Sequence, residues 1–250
     1  MDNRIPVLNI NVLSISTDSL LMELDEGVLF TLNVDHLVKL QKDRSFYNAY
    51  AAATHVVVDS QILFLLMSLT EHNPVEKISG SDLLPAYYSY HRNNEKIKIF
   101  LLGSRDGIAQ KAMDRINKKV GRNIIVGAHS PSMGFDTKEA ECREIIQRIK
   151  ISDANVLIVG VGPSKQEQWI IRYKDALPGI RLFMALGAAI DIEAGVVKRA
   201  PRWVSIMALE WAYRLYQEPK RLWRRYLVED TAFFWLLLKY KIGIYKNPWV

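Results

Sequence analysis

Six short, unbroken apolar runs punctuate the first four-fifths of the chain: Val28–Leu32, His55–Val58, Ile97–Leu102, Ile124–Val126, Asn155–Val159 and Arg181–Leu186. Each stops at glycine or a small polar residue and gives way to apolar residues at helical spacing, as in Ile108–Val120 and Lys138–Lys150. A strand with one wet face alternates apolar and polar residues, whereas a continuous run must be covered on both faces. The pattern therefore predicts an α/β fold: a Rossmann-like, mainly parallel sheet flanked by helices. With 250 residues and 49% apolar content, the chain has the material for one full-sized core.

Ligands of open parallel sheets bind outside the carboxyl ends of the strands, so the residues that follow each run are the candidates. They are Thr31 and Asn33; Asp59 and Ser60; Gly103 and Ser104; Gly134 and Phe135; the loop from Gly160 through Gly162 and Lys165 to Gln166; and Gly187 to Asp191. Glycines, hydroxyls, amides and a few carboxylates suit a nucleotide or a sugar. Asp59 closes a buried-looking strand, where desolvation raises a carboxylate into the range of a general base. It could instead cap the helix that starts near Ser60. Thr31 and Asn33 share one side of a strand end and could bond a sugar or satisfy local backbone groups. The Gly160–Gln166 loop departs from the dinucleotide fingerprint, with Lys165 where the third glycine belongs, and it lacks the ending of a phosphate-binding P-loop. Asp191-Ile-Glu193 resembles a metal clamp, but one such pair among 27 acidic residues is near chance, and no metal site is expected. The single cysteine, Cys142, excludes a disulfide framework and reads as a half-buried structural thiol.

Charge divides the chain. From Val196 onward eleven Lys and Arg face four Asp and Glu, whereas 22 face 23 before it, and five of the six tryptophans lie in the same last segment. Residues 1–199 are accordingly read as the catalytic α/β domain and residues 200–250 as a basic, Trp-rich helical appendage. Arg199, Arg202, Arg214, Lys220, Arg221, Arg224 and Arg225 are interleaved with Trp203, Trp211, Trp223 and Tyr226. Pro219 is placed to open a helix over 219–228. The apolar load from Phe233 to Leu238 points to an anionic membrane surface rather than nucleic acid. The plainer alternative is packing on the core, or on a second subunit of a homo-oligomer. No signal peptide and no apolar stretch of about 20 residues appears, so a cytoplasmic protein bound peripherally to the inner face of the plasma membrane is expected.

Taken together, Thr31-Leu-Asn33, the strand ending in Asp59, Ile78-Ser-Gly-Ser-Asp-Leu83, Phe100-Leu-Leu-Gly103, Gly134-Phe135, Val159 to Glu167, Gly187 to Asp191, Ala194 to Pro201 and Leu209 to Tyr226 resemble the WecG/TagA/CpsF family of bacterial glycosyltransferases. The resemblance implies an inverting, metal-independent transfer from a UDP-sugar to a polyprenyl-diphosphate-linked saccharide, with no cofactor, in cell-surface polysaccharide synthesis. The sugars compatible with the family are N-acetylmannosamine, its uronic acid, glucuronic acid and glucose. It implies Asp59 as base, with Thr31, Asn33 and Gln166 in the sugar pocket. Asp191 and the Gly103 and Gly134 loops would lie near the uridine, and Arg214, Arg221 and Arg224 over the diphosphate. Ser60 stands where the family usually has glycine, and Lys77 where it usually has arginine, keeping the charge but not the bidentate fork. Rival readings are a nucleotide-dependent oxidoreductase, against which the missing glycine fingerprint counts, and a non-catalytic membrane or nucleic-acid adaptor.

Overall fold

The computed structural model describes residues 3–68, 75–201, 204 and 207–249; Arg202, Trp203 and the side chain of Arg221 lie outside the described residues. The chain opens with an antiparallel hairpin, β1 (Arg4–Val7) and β2 (Ile10–Leu13), then α1 (Thr17–Glu23). Six parallel strands follow: β3 (Gly27–Leu32), β4 (His55–Val58), β5 (Ile99–Gly103), β6 (Ile125–His129), β7 (Val156–Gly160) and β8 (Leu182–Ala185). They line up as β4-β3-β8-β7-β5-β6, every neighbouring pair parallel. All six predicted runs became these strands. The hairpin was not foreseen, because its four-residue strands are broken by Pro6, Asn9 and Asn11.

Between the strands run α2 (Val34–Lys39), α3 (Arg44–Ala51), α4 (Gln61–Ser68), α5 (Gly80–Tyr90), α6 (Ile108–Val120), α7 (Glu139–Ile151), α8 (Lys165–Tyr173) and α9 (Ala189–Glu193). Alternate strand residues feed two cores. Phe30, Leu32, Leu102, Leu157 and Phe183 pack with α2, α3, α7 and α8; Leu29, Val57, Leu101, Ile158 and Met184 pack with α1, α5, α6 and α9. This two-sided covering is why the runs are unbroken. Cys142 is fully buried, deeper than its sequence suggested, and its thiol donates to the Phe135 carbonyl at 3.3 Å.

The C-terminal segment forms α10 (Glu210–Gln217), α11 (Pro219–Arg224), a π-helical turn (Arg225–Glu229) and α12 (Ala232–Lys241). Pro219 does occupy the first turn of its helix, but the helix widens at Arg225 instead of running unchanged to Val228. Phe233 is fully buried in the core beside α2 and α3. Trp249 Nε1 donates to the Leu40 carbonyl at 2.7 Å, and the Tyr245 hydroxyl to Gln41 Oε1 at 2.7 Å. The segment thus packs back on the core.

Candidate active site

The loops after β3 and β7 lead to helices on one face of the sheet, and those after β8 and β5 to helices on the other. These four strands are neighbours, so the loops leaving their carboxyl ends part to opposite faces, the arrangement in which open sheets bind ligands. The backbone there is tight. A Cβ at Gly103 would stand 2.4 Å from the Gly160 carbonyl oxygen, and one at Gly160 would stand 2.5 Å from that of Gly187. Only glycine lets these three strand ends meet. Beside them the Ser104 hydroxyl donates to Asp191 Oδ1 at 2.5 Å, joining the β5 loop to α9. Glu193 turns away instead, held by Lys119 at 2.6 Å and by the Tyr88 hydroxyl at 3.3 Å. Asp191 and Glu193 therefore do not form a clamp.

Asp59 follows β4, its N–H donating to the Leu32 carbonyl at 2.8 Å, which sets it beside Asn33. The helix cap it might have provided is supplied by its neighbour: Ser60 Oγ accepts from the Leu63 N–H at 3.3 Å. The Asp59 carboxylate faces the start of α5 instead. Burial pushes its pKa up from 3.8 to about 6, against the pull of Arg214, Lys77 and the Gly80 N–H, with Glu210 adding to the rise. Desolvation wins over two cations. Gly80 also packs against the end of β8, where a Cβ would lie 2.6 Å from the Leu186 carbonyl oxygen. The α5 cap is Ser79, whose Oγ accepts from the Asp82 N–H at 3.2 Å, and Asp82 in turn pairs with Arg199.

Thr31 is buried, its hydroxyl pointing to the Ala185 carbonyl at 3.4 Å, and Asn33 Oδ1 caps α2 by accepting from the His36 N–H at 3.0 Å. Both side chains thus have structural partners at the end of β3, next to the end of β4 that holds Asp59. Gln166 is buried and donates through Nε2 to Glu167 Oε1 at 2.8 Å, leaving its own Oε1 and Glu167 Oε2 without partners. Burial drives Glu167 up from 4.5 to about 7. Glu167 closes the Val159 to Glu167 motif, but nothing in that stretch of sequence says that its carboxyl is buried.

The remaining candidates are scattered. Arg214 reaches Glu210 at 2.9 Å, and its side chain is partly exposed. Arg224 points outward toward Glu229 at 3.4 Å. Lys165 pairs with Asp136 at 3.4 Å, tying the β7 loop to the β6 loop, and Gly162 has open space around it. Phe135 is buried against Trp169, with ring centroids 6.2 Å apart, and is a core residue rather than a crevice wall. At about 4.8 Å per strand, β6, which leads to Gly134, lies about 24 Å from β4, which leads to Asp59. A depression also lies at the amino end of the strands, where Lys98 pairs with Asp153 at 2.5 Å, and it holds none of these residues.

A parallel sheet whose carboxyl edge gathers glycine-tightened loops and a desolvated carboxylate defines an α/β enzyme acting on a small polar ligand. The chain belongs to the glycosyl transferase WecG/TagA/CpsF family, whose pattern matches residues 5–247. It is similar to the N-acetylglucosaminyldiphosphoundecaprenol N-acetyl-beta-D-mannosaminyltransferase of Bacillus subtilis (strain 168), with 26% identity over 201 residues, 80% of this chain and 75% of that protein.

Proposed function

We propose that this glycosyltransferase moves a sugar, with inversion and without a metal, from a UDP donor to a polyprenyl-diphosphate-linked saccharide. N-acetylmannosamine is the favoured sugar, on the name of the Bacillus relative; its uronic acid, glucuronic acid and glucose are the alternatives. The observation that carries the reading is Asp59, raised to about 6 at a strand end and facing Arg214 and Lys77. In a single in-line displacement Asp59 accepts the proton of the acceptor hydroxyl as that oxygen bonds to the anomeric carbon. The anomeric C–O bond breaks and its electron pair leaves with UDP. Arg214 and Lys77 are the cations available to meet that charge. Asn33, Thr31 and Gln166 frame the sugar; the glycine edge with Ser104 and Asp191 receives the nucleoside.

Residues 200–250 act as a functional appendage on this reading. On α12, Phe234, Trp235 and Leu238 are exposed, and Lys239 Nζ lies 5.4 Å from the Trp235 ring centroid. An apolar face edged by lysines suits the interface of an anionic membrane. Among the described residues no helix is long and apolar enough to cross a membrane.

The test is UDP release across a panel of UDP-sugars with a synthetic polyprenyl-diphosphate saccharide. Asp59→Asn should cost about 10²–10⁴-fold in kcat, and kcat/KM of the wild type should rise with pH through an inflection near 6, because the base must be ionised. Full activity in Asp59→Asn would overturn the reading.

A further inference from the structure

Among the described residues, one ion pair between the C-terminal segment and the core is deeply buried on its core side. Asp35 sits in the first turn of α2, two residues past Asn33, and is only 2% exposed. Lys39 of the same helix reaches its Oδ2 at 2.8 Å, and Arg225 Nη2 reaches the same oxygen from the C-terminal segment at 3.4 Å. Asp230, also buried, lies 3.9 Å from Arg225 Nε. A buried carboxylate needs its cation, and removing one partner strands the other. The α2 helix is already capped by Asn33, so Asp35 is not needed for that task.

The backbone that presents Arg225 is unusual. The Asp230 N–H donates to the Arg225 carbonyl at 2.8 Å, an i to i+5 bond, and the widened turn sets both side chains toward α2. Such turns are rare and concentrate at functional places. The next residue carries the contact onward: the Arg225 guanidinium lies over the Tyr226 ring, 5.4 Å from its centroid, and that ring meets Trp211 of α10 edge-on, centroids 6.3 Å apart. Tyr226 also lies within the electrostatic reach of Arg214. A line of contacts thus runs from Asp35 through Arg225 and Tyr226 to α10, whose Arg214 lies within electrostatic reach of Asp59.

We propose that Arg225 is a positioning residue for the transfer: by latching the C-terminal segment to Asp35 of α2, it sets Arg214 of α10 over Asp59. The inference rests on the roles given above to Asp59 and Arg214. The latch makes the segment part of the active site.

The experiment uses the full chain carrying Arg225→Gln, Asp35→Asn, Arg225→Lys, and Asp35→Arg combined with Arg225→Asp. Activity is followed against pH, and amide hydrogen exchange is followed over Glu210–Gln217. Misplacing a charged group by about 1 Å costs on the order of 10²-fold, so Arg225→Gln should lower kcat by about that factor and speed exchange over α10. Its kcat/KM inflection should move above 6, since the displaced Arg214 no longer holds Asp59 down. The charge-exchanged pair should recover part of the loss, and Arg225→Lys should fall between. Wild-type kcat with unchanged α10 exchange in Arg225→Gln would overturn the latch. So would a loss of activity that leaves both the inflection and α10 exchange in place. If Asp35→Asn does not fold, Arg225→Gln and Arg225→Lys decide the matter alone. Activity surviving in Asp59→Asn would count against the base and not the latch, because exchange over α10 reads the latch without catalysis.

Discussion

The α/β core and the C-terminal segment handle apolar side chains in opposite ways. Along β3, β5, β7 and β8 the side chains of both faces are covered by helices of the same core. On α12, Phe233 is fully buried, yet its neighbour Phe234 is 58% exposed, as is Trp235. Leu227, Val228, Ile242 and Ile244 are exposed as well. The core satisfies its own hydrophobic demand; the segment spends one face on the core and leaves the other for something outside it. Polar groups show the same contrast. The core edge is shaped by glycine contacts and helix caps, whereas the segment is held by Arg225, Asp35 and Asp230 and by two hydrogen bonds from Tyr245 and Trp249.

The sharpest way to break this contrast is to truncate the two adjacent phenylalanines separately. Phe233→Ala should cost about 3–5 kcal/mol in unfolding free energy, measured by chemical denaturation; a small loss would mean that α12 is not part of the core. Next comes Arg214→Ala, the contact of the segment with the site. Losing one preorganised cation should lower kcat by about 10²–10³-fold, with partial recovery in Arg214→Lys, and steady-state kinetics decides it.

Glu167 tests the core side. Its carboxyl ionises near 4.5 when unfolded and near 7 when folded. Its contribution is therefore fully present below pH 4.5 and is lost as pH rises through 7. Glu167→Gln should unfold at higher denaturant than wild type at pH 8, by about 3 kcal/mol, and should show no such advantage at pH 4. An advantage independent of pH would contradict the desolvation of this carboxyl. The smallest effect on the fold belongs to Phe234→Ser with Trp235→Ser, within about 0.5 kcal/mol for exposed positions. The same pair should lose flotation with anionic vesicles. Unchanged flotation would assign the exposed face to some other partner.

Much of the strand-end framework around the candidate site was legible along the chain, and for a local reason. Strands of a parallel sheet often stop at glycine or a short polar residue, so Gly103, Gly160 and Gly187 marked strand ends, whereas Asp59 read as either a base or a helix cap until the family motifs were considered together. Asn33 was legible only in part, because the same side chain that sits at the site also caps α2. Phe135 looked like a loop residue at a strand end but turned inward onto Trp169. Its burial depends on a helix more than thirty residues away. Glu167 and Asp35 gave no warning, since nothing in a short stretch of sequence says that a carboxylate will be buried.

The succession of parallel strands, the two-faced burial they require, the carboxyl-edge loops and the basic, aromatic ending follow from the sequence alone, because period, glycine placement and charge are properties of neighbouring residues. The order β4-β3-β8-β7-β5-β6, the docking of Phe233 and the placing of Arg214 within electrostatic reach of Asp59 were decided only in three dimensions. Each joins residues far apart in the chain, through packing and a shared low-dielectric environment that no local pattern records.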